Sequence, residues 1–410
     1  MNNWDPGVSE PDRHARAFVI DPTDTSAKVY LEILADPSWR VRKAALARVT
    51  EFIRTDGLIE GLVQSLASED NAGLRNAASD ALVRIGEASM DDLRRGLASE
   101  DVDQRKLVVE AVGLIGGAEA ESALLQAMDD ADVNVRASAA EALGRTGGSR
   151  AAQHVLAALG RYGSDLQSAA YLLDALAMTH ASVPLGQIRG FWNTPALRRS
   201  LYPVLGNSRD RDALPLLLEG IVSGSRGNRA AAVLALDVLM DATETSEQVG
   251  EALRVSQRSK ESVLGLLDYD DDEVVSAAVR ILVALELPEL APRILEACAC
   301  RTNIQVAMDA LRSLGSEVVR PLLSDIYRVG IEARVSFLEA VELLGRSSDV
   351  AELLEIAEFT ELRTAEAAVR AVGRIGDDHA VDGLAELLRR AKSEELEELV
   401  AHAIAEVGRR

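Results

Sequence analysis

The chain has 410 residues, of which 44 are Lys or Arg and 66 are Asp or Glu, so its formal net charge at pH 7 is −22. Apolar residues make up 48% and charged residues 27%, a balance typical of a folded protein, although aromatic residues contribute only 3%. The charge argues against a nucleic-acid-binding protein, because phosphate neutralisation requires a basic face.

The cellular setting follows from what the sequence lacks. Cys298 and Cys300 are too few for a disulfide framework, and their C-x-C spacing is too tight for an unstrained bridge. The N-terminus shows no signal pattern, and no apolar run approaches the length of a membrane span. We therefore expect a cytoplasmic protein that is located in a reducing compartment and does not insert into a membrane.

Residues 1–26 stand apart from the rest of the chain, with Trp4, Pro6, Pro11 and Pro22 and no repeated pattern. They are interpreted either as a tail that docks on the first repeat or as a short motif presented to a partner.

From residue 27 onward the sequence repeats itself. Residues 75–86, 105–116 and 136–147 are variants of one pattern, each ending in Gly, at steps of 30 and 31 residues. The pattern returns in the C-terminal third, and degenerate copies fill the middle, which makes about twelve units in residues 27–410. Each unit contains two apolar stripes at helical spacing, separated by a polar turn. Two short helices cannot bury both stripes alone, so stacking of neighbouring pairs is expected.

Two segments carry a resemblance to a known family. Asp36-Pro-Ser-Trp-Arg-Val-Arg-Lys-Ala-Ala and Ala142-Leu-Gly-Arg-Thr-Gly resemble HEAT repeats, in the short form also found in phycobilisome lyases. The resemblance implies an all-α fold, an α-solenoid of about twelve HEAT-like helix pairs. It leaves the function open, because scaffolds, adaptors and a few enzymes share this fold.

Arginine recurs at one position of the units, often with an acidic residue six positions earlier. The members are Asp36 with Arg42, Glu69 with Arg75, Asp130 with Arg136, and Arg105. We interpret them as a structural ladder in which, as the resemblance implies, the acid caps the second helix and the arginine bridges neighbouring units. The alternative is a basic ladder for phosphate or nucleic acid.

A row of acidic residues, one per unit, forms the candidate partner-binding surface. Its members are Asp80, Glu110, Glu141, Asp174, Asp309 and Glu339. The row predicts a protein partner with a basic surface. The alternative is the solvated side of an amphipathic helix.

Two irregular segments interrupt the repeats. Residues 179–215 are rich in proline and contain Trp192, a candidate partner-binding residue, which is interpreted either as a tryptophan folded over its own repeat or as an exposed anchor for a partner. An insertion at about 242–258 predicts an extra or lengthened helix with a cap at Ser246.

No catalytic, metal or cofactor site is predicted. The five histidines are scattered, and the two cysteines lack companion ligands for zinc. The favoured function is a non-enzymatic protein–protein interaction scaffold or adaptor, in signalling such as chemotaxis or motility. The alternatives are a bilin lyase-like accessory enzyme and, with less support, a nucleic-acid repair protein.

Overall fold

The computed structural model describes residues 4–391 and 393–409, and every regular element within these ranges is helical. The chain divides into two compact units, one up to Ser208 and one from Arg209 onward. Among the described residues, no helix combines the length and the apolar character that a membrane crossing needs.

The first unit contains thirteen α-helices. They are α1 (Glu10–Val19), α2 (Ala27–Leu34), α3 (Trp39–Leu46), α4 (Leu58–Ser65), α5 (Ala72–Ile85), α6 (Met90–Gly96), α7 (Val102–Ile115), α8 (Gly117–Ala127), α9 (Val133–Thr146), α10 (Gly148–Tyr162), α11 (Leu166–Met178), α12 (Leu185–Ile188) and α13 (Arg198–Asn207).

The second unit also contains thirteen. They are α14 (Leu214–Ser223), α15 (Arg226–Thr243), α16 (Ser246–Val255), α17 (Gln257–Leu264), α18 (Asp272–Val283), α19 (Ala291–Cys298), α20 (Ile304–Leu311), α21 (Val319–Asp325), α22 (Ile331–Leu344), α23 (Val350–Phe359), α24 (Leu362–Ile375), α25 (Ala380–Arg390) and α26 (Glu394–Val407). Without α1 and α16, the helices of both units form successive pairs, from α2–α3 to α25–α26. The predicted all-α solenoid of about twelve helix pairs is confirmed.

Four successive second helices of the first unit start at a polar cap. In the first unit, the side chains of Asn71, Asp101, Asp132 and Asp165 accept hydrogen bonds from backbone N–H groups in the first turns of α5, α7, α9 and α11. Three of these helices end at a glycine with positive φ, for example 69° at Gly86, where a side chain would be strained. Start and stop signals therefore recur with the repeat.

The predicted capping acids are not the caps. The cap residue lies two positions later, at Ser38 rather than Asp36 and at Asp132 rather than Asp130. Asp36 and Asp130 instead accept hydrogen bonds from the backbone N–H groups of those cap residues, at 2.9 and 2.8 Å. The reason is geometric: an acid two residues before the cap lies in the turn, where it reaches the backbone of the turn but not the first helical N–H groups.

The core of the first unit consists mainly of small and aliphatic side chains, with a few buried aromatic rings, because its second helices approach closely. Helices α5, α7, α9, α11 and α13 contact one another in sequence order. At Gly144 in α9, an added Cβ would lie 2.7 Å from the carbonyl oxygen of Ala175 in α11. Cores this thin leave little room for aromatic rings, which accounts for the low aromatic content.

Helix α16 occupies the segment in which the sequence shows an insertion. It begins at Ser246, but its N-cap is Thr245, which makes no side-chain cap bond, so the predicted Ser246 cap is wrong. The helix packs on α15, α17 and α18, and Gly250 faces the carbonyl oxygen of Ala284 so closely that a Cβ would lie 2.0 Å from it. The insertion is thus a packed helix of the second unit.

Helix α1 takes the position of a second helix, and the described residues 4–9 that precede it form no α-helix. It packs against α3, as later second helices pack against one another. Its Arg13 donates to Asp36 from Nε at 2.8 Å and from Nη2 at 3.3 Å. Arg105 donates to Asp130 in the same way, at 2.8 and 3.0 Å. Residues 10–19 are therefore a half-repeat that packs on the helix pair formed by α2 and α3.

Candidate interaction surface on the second helices

The acidic row lies on the solvent-facing side of the second helices. Asp80, Glu110, Glu141 and Asp174 are each the ninth residue of their helix in the first unit, and Glu339 is the ninth residue of α22 in the second. Asp309 is the sixth residue of the shorter helix α20. All six are exposed or half-exposed. Because α5, α7, α9 and α11 stand side by side, the first four carboxylates form one line on the first unit.

Several members of the row have cationic partners in their own helix. Glu141 pairs with Arg145 at 2.6 Å, and Glu110 pairs more loosely with Lys106 at 3.8 Å. In the second unit Asp309 pairs with Arg312 at 2.6 Å. Exposed pairs of this kind contribute about 0–1 kcal/mol, so a partner's cation can replace the internal one at little cost.

The ladder arginines hold the turns and, in places, connect neighbouring repeats. Arg42 donates to the carbonyl oxygen of Asp36 at 2.6 Å, and Arg136 donates to that of Asp130 at 2.7 Å. Arg75 makes a longer bond of 3.3 Å, to the carbonyl oxygen of Ser68, and the side chain of Glu69 is exposed. The shared feature is a bond from the arginine to its own turn.

The connection between repeats is strongest at Arg105. Its guanidinium donates to both carboxylate oxygens of Asp130 in the next repeat, and both side chains are nearly buried. Burial disfavours the ionised Asp130, but the hydrogen bonds from Arg105 and from the backbone N–H of Asp132 outweigh it and place the pKa of Asp130 below its ordinary value. In the second unit, Arg334 reaches Glu361 of the following repeat at 3.0 Å.

The side chain of Trp192 is buried, so the interpretation of a tryptophan folded over its own repeat is correct and that of an exposed anchor is wrong. Only 9% of its surface is accessible. Its ring lies edge-on to Tyr202, with the centroids 6.0 Å apart, and the Arg198 guanidinium lies 4.3 Å from the ring centroid. The short helical turns of this irregular repeat leave a gap that the indole fills. The ring therefore cannot serve as a surface anchor in this conformation.

Two open grooves lie between second helices, one in each unit. The first, of about 570 Å³, lies between α1 and α3 and is lined by aromatic and basic side chains. The second, of about 630 Å³, lies between α24 and α26 and is lined mainly by glutamates, with Arg370, Arg374 and His402. No group of three His, Cys, Asp or Glu side chains in the described part of the chain is arranged to hold a metal ion.

Two family models match the chain. Residues 90–177 match HEAT repeats, and residues 364–390 match the PBS lyase HEAT-like repeat. Both of these stretches are therefore HEAT-type repeats. The two matches fall in different units and together cover well under half of the chain.

Solved HEAT-type solenoids have a similar fold. A chain from the structure of Kap95p bound to RanGDP is 13% identical with a TM-score of 0.55, and the match covers 97% of this chain and 63% of that one. A mutant of the karyopherin Kap121p is 13% identical with a TM-score of 0.54, covering 93% and 53%. This chain thus spans between half and two thirds of those longer chains. No curated protein matches it.

Sequence reasoning missed the residues that line the groove between α1 and α3. Trp39, the first residue of its second helix, is 60% exposed, and Phe18 is 50% exposed. Trp39 lies in the segment of the sequence that resembles a HEAT repeat. In the structure Arg13 makes one of the backbone contacts of Arg105, a bond to the carbonyl oxygen five residues earlier.

Proposed function

We propose that this protein is a non-enzymatic scaffold or adaptor that binds a partner protein with a basic surface along the acidic row of its second helices. The observation that carries the proposal is the line of Asp80, Glu110, Glu141 and Asp174 on four adjacent helices of the first unit. The ladder arginines, by contrast, are engaged with the protein's own turns.

The spacing of the row favours extended contact. Packed helices lie about 8–10 Å apart, so the carboxylates recur at about that interval. This is close to the screening length of about 8 Å at physiological ionic strength, so neighbouring charges still reinforce one another. Such a line accelerates encounter with a basic partner and orients it, and it contributes less to the final affinity than buried contacts do.

The similarity to karyopherins is compatible with this proposal. Kap95p is described as binding RanGDP, and Kap121p as bound to the C-terminus of the phosphatase Cdc14p. At this level of identity the likeness concerns the fold, and the partner of this chain is a separate question. The setting that we propose, signalling such as chemotaxis or motility, rests on the resemblance of the repeats and on the acidic composition.

The test compares two triple variants with the same change in net charge. Asp80, Glu110 and Glu141 are replaced by alanine in the first variant. In the control, three exposed acids of the first helices and their turns are replaced: Asp91, Glu119 and Asp129. Partners are captured from native extract at native salt, identified by mass spectrometry, and their association rates are measured. We expect the row variant to lose at least about tenfold in association rate and to show a weaker salt dependence. Equal rates for the two variants would contradict the proposal.

The match of residues 364–390 to the PBS lyase HEAT-like repeat favours a second candidate, a bilin lyase-like accessory enzyme. It predicts that mixing the chain with a bilin and an acceptor protein changes the visible absorption spectrum of the pigment. An unchanged spectrum, together with a captured partner protein, would exclude the lyase-like enzyme and support the scaffold function.

A further inference from the structure

The groove between α1 and α3 differs in chemistry from the acidic row that continues beyond it. The ninth residue of α1 is Phe18, and in the ninth place counted from Trp39 lies Ala47. In the following second helices this place belongs to Asp80, Glu110 and Glu141. The same face of the first unit is therefore apolar over its first two second helices and acidic from α5 onward.

Aromatic side chains form the apolar part of the groove. Trp39 is 60% exposed and Phe18 is 50% exposed, which is unusual in a chain with so few aromatic residues. His14 lies edge-on to Phe18, with the ring centroids 4.9 Å apart. The carbonyl oxygen of Phe18 accepts a hydrogen bond from Arg48 at 2.7 Å, which holds the end of α1 in place. The groove is thus a preformed feature between two packed helices.

The charge of the groove is opposite to that of the whole protein. The Arg40 guanidinium and the Lys43 ammonium lie 5.9 and 5.8 Å from the centroid of the Trp39 ring. Both side chains are exposed, and neither forms an ion pair with any residue in the described part of the chain. The acid of the groove, Glu10, already accepts a hydrogen bond from the Ser38 hydroxyl at 2.9 Å. Two cations beside an exposed indole are therefore available to a ligand.

We propose that this aromatic–basic groove binds a protein segment in which an apolar side chain is flanked by carboxylates. The apolar side chain packs on Trp39 and Phe18, and the carboxylates pair with Arg40 and Lys43. Tryptophan and arginine are the residue types that most often dominate binding energy at interfaces. The acidic row, which begins at Asp80, repels further carboxylates of such a segment. The segment is therefore confined to the groove between α1 and α3 and binds there in a single register.

A single-stranded nucleic acid is the less favourable occupant. Aromatic rings and cations also form stacking platforms for bases. A nucleic-acid strand, however, carries a charge at every nucleotide and would run onto the acidic row, whereas a peptide places its carboxylates only where the cations are. The acidic-segment proposal is independent of the proposed function, because the two surfaces have opposite charge and share no residue.

The test starts from a random peptide display library panned against the full chain. Counter-selection uses the chain with Trp39→Ala, Arg40→Ala and Lys43→Ala together. We expect the retained peptides to be enriched in Asp or Glu next to Leu, Phe or Trp. A retained peptide is then synthesised with a fluorophore, and its dissociation constant is measured by anisotropy for single variants.

Matched controls come from equivalent positions of other second helices. Trp39→Ala is compared with Leu166→Ala, which also replaces an exposed first residue, and Lys43→Ala with Lys106→Ala, which replaces the fifth residue of α7. We expect Trp39→Ala to weaken binding by at least about tenfold and the controls to leave it unchanged. Arg40→Ala with Lys43→Ala should weaken binding and reduce its salt dependence.

Three results would overturn the proposal. The first is the absence of peptides that distinguish the wild-type chain from the counter-selection variant. The second is enrichment of Lys- or Arg-rich peptides, which would assign the groove to a basic partner. The third is binding of an oligothymidine that is lost in the Arg40→Ala/Lys43→Ala variant, which would make the groove a nucleic-acid site. The Asp80/Glu110/Glu141 variant keeps the groove intact, so failure here is distinguishable from failure of the scaffold proposal.

Discussion

Replacing Arg13 by alanine is expected to detach the N-terminal half-repeat while the following repeats stay folded. The Arg13 side chain is 10% exposed and that of Asp36 is fully buried. Arg13 donates twice to Asp36 and also to the carbonyl oxygens of Pro6 and Val8. Without Arg13, the Asp36 carboxylate keeps only the Trp4 indole N–H at 3.1 Å and the Ser38 backbone N–H.

The expected loss follows from these contacts. Removing one member of a buried ion pair costs about 3–5 kcal/mol, because the remaining charge is left without compensation. Two charge-assisted hydrogen bonds at about 1.5–3 kcal/mol each lead to a similar figure. A loss of about 3 kcal/mol corresponds to roughly a hundredfold in an opening equilibrium. Because solenoid repeats contact only their neighbours, the loss should remain local.

Hydrogen exchange followed by mass spectrometry measures this directly. Backbone amides of α1 should lose roughly a hundredfold in protection, while those of α9 and α11 keep theirs. Arg13→Lys should lie between wild type and Arg13→Ala, since lysine keeps the charge but cannot form the two-pronged contact. Unchanged protection of α1 in Arg13→Ala would refute the half-repeat. Loss of protection throughout the first unit would refute the local effect.

Three further predictions concern other contacts. Trp192→Ala should lower the free energy of unfolding of the first unit by about 3–5 kcal/mol in chemical denaturation, as loss of a buried indole does, and an unaffected stability would show that the ring is not packed as described. At mildly alkaline pH, a maleimide or iodoacetamide should label the exposed Cys300 and spare Cys298, because burial raises the pKa of the Cys298 thiol to about 11; equal labelling rates would contradict this. The pKa of Asp130 in the folded state lies below the ordinary value of 3.8, so its contribution to stability is present above that pH and is lost as the pH falls through the lower, folded-state value. The free energy of unfolding, measured by chemical denaturation at a series of acidic pH values, should therefore depend less on pH for Asp130→Asn than for wild type. The same pH dependence in both proteins would rule out this contribution.

The regular repeats could be predicted because their signals are local. The apolar stripes, the polar turns and the closing glycines all lie within about 30 residues of one another, so a single unit of sequence indicates a helix pair. The ladder arginines were recognised for the same reason. The role of the acid was less predictable. It lies two residues before the cap and accepts a hydrogen bond from the backbone N–H of the cap residue, and this arrangement depends on the backbone path of the turn.

The irregular segments were less predictable, because their side chains find partners through packing. Trp192 and Trp39 occupy comparable turns in the sequence, yet the first is buried beside Tyr202 and the second is 60% exposed. The difference arises from the short helices around Trp192, which leave space for the indole. Sequence alone offered no measure of that space.

The amino-acid sequence by itself determined that this protein is a stack of short helix pairs with a thin, aromatic-poor core and an acidic surface, since helical periodicity and charge are properties of neighbouring residues. The tertiary structure decided which aromatic residues reach the surface and that residues 10–19 pack on the first helix pair as a half-repeat. Both depend on contacts across sequence separations such as the 23 residues between Arg13 and Asp36. No local pattern specifies such contacts, because they form only when one repeat packs on the next.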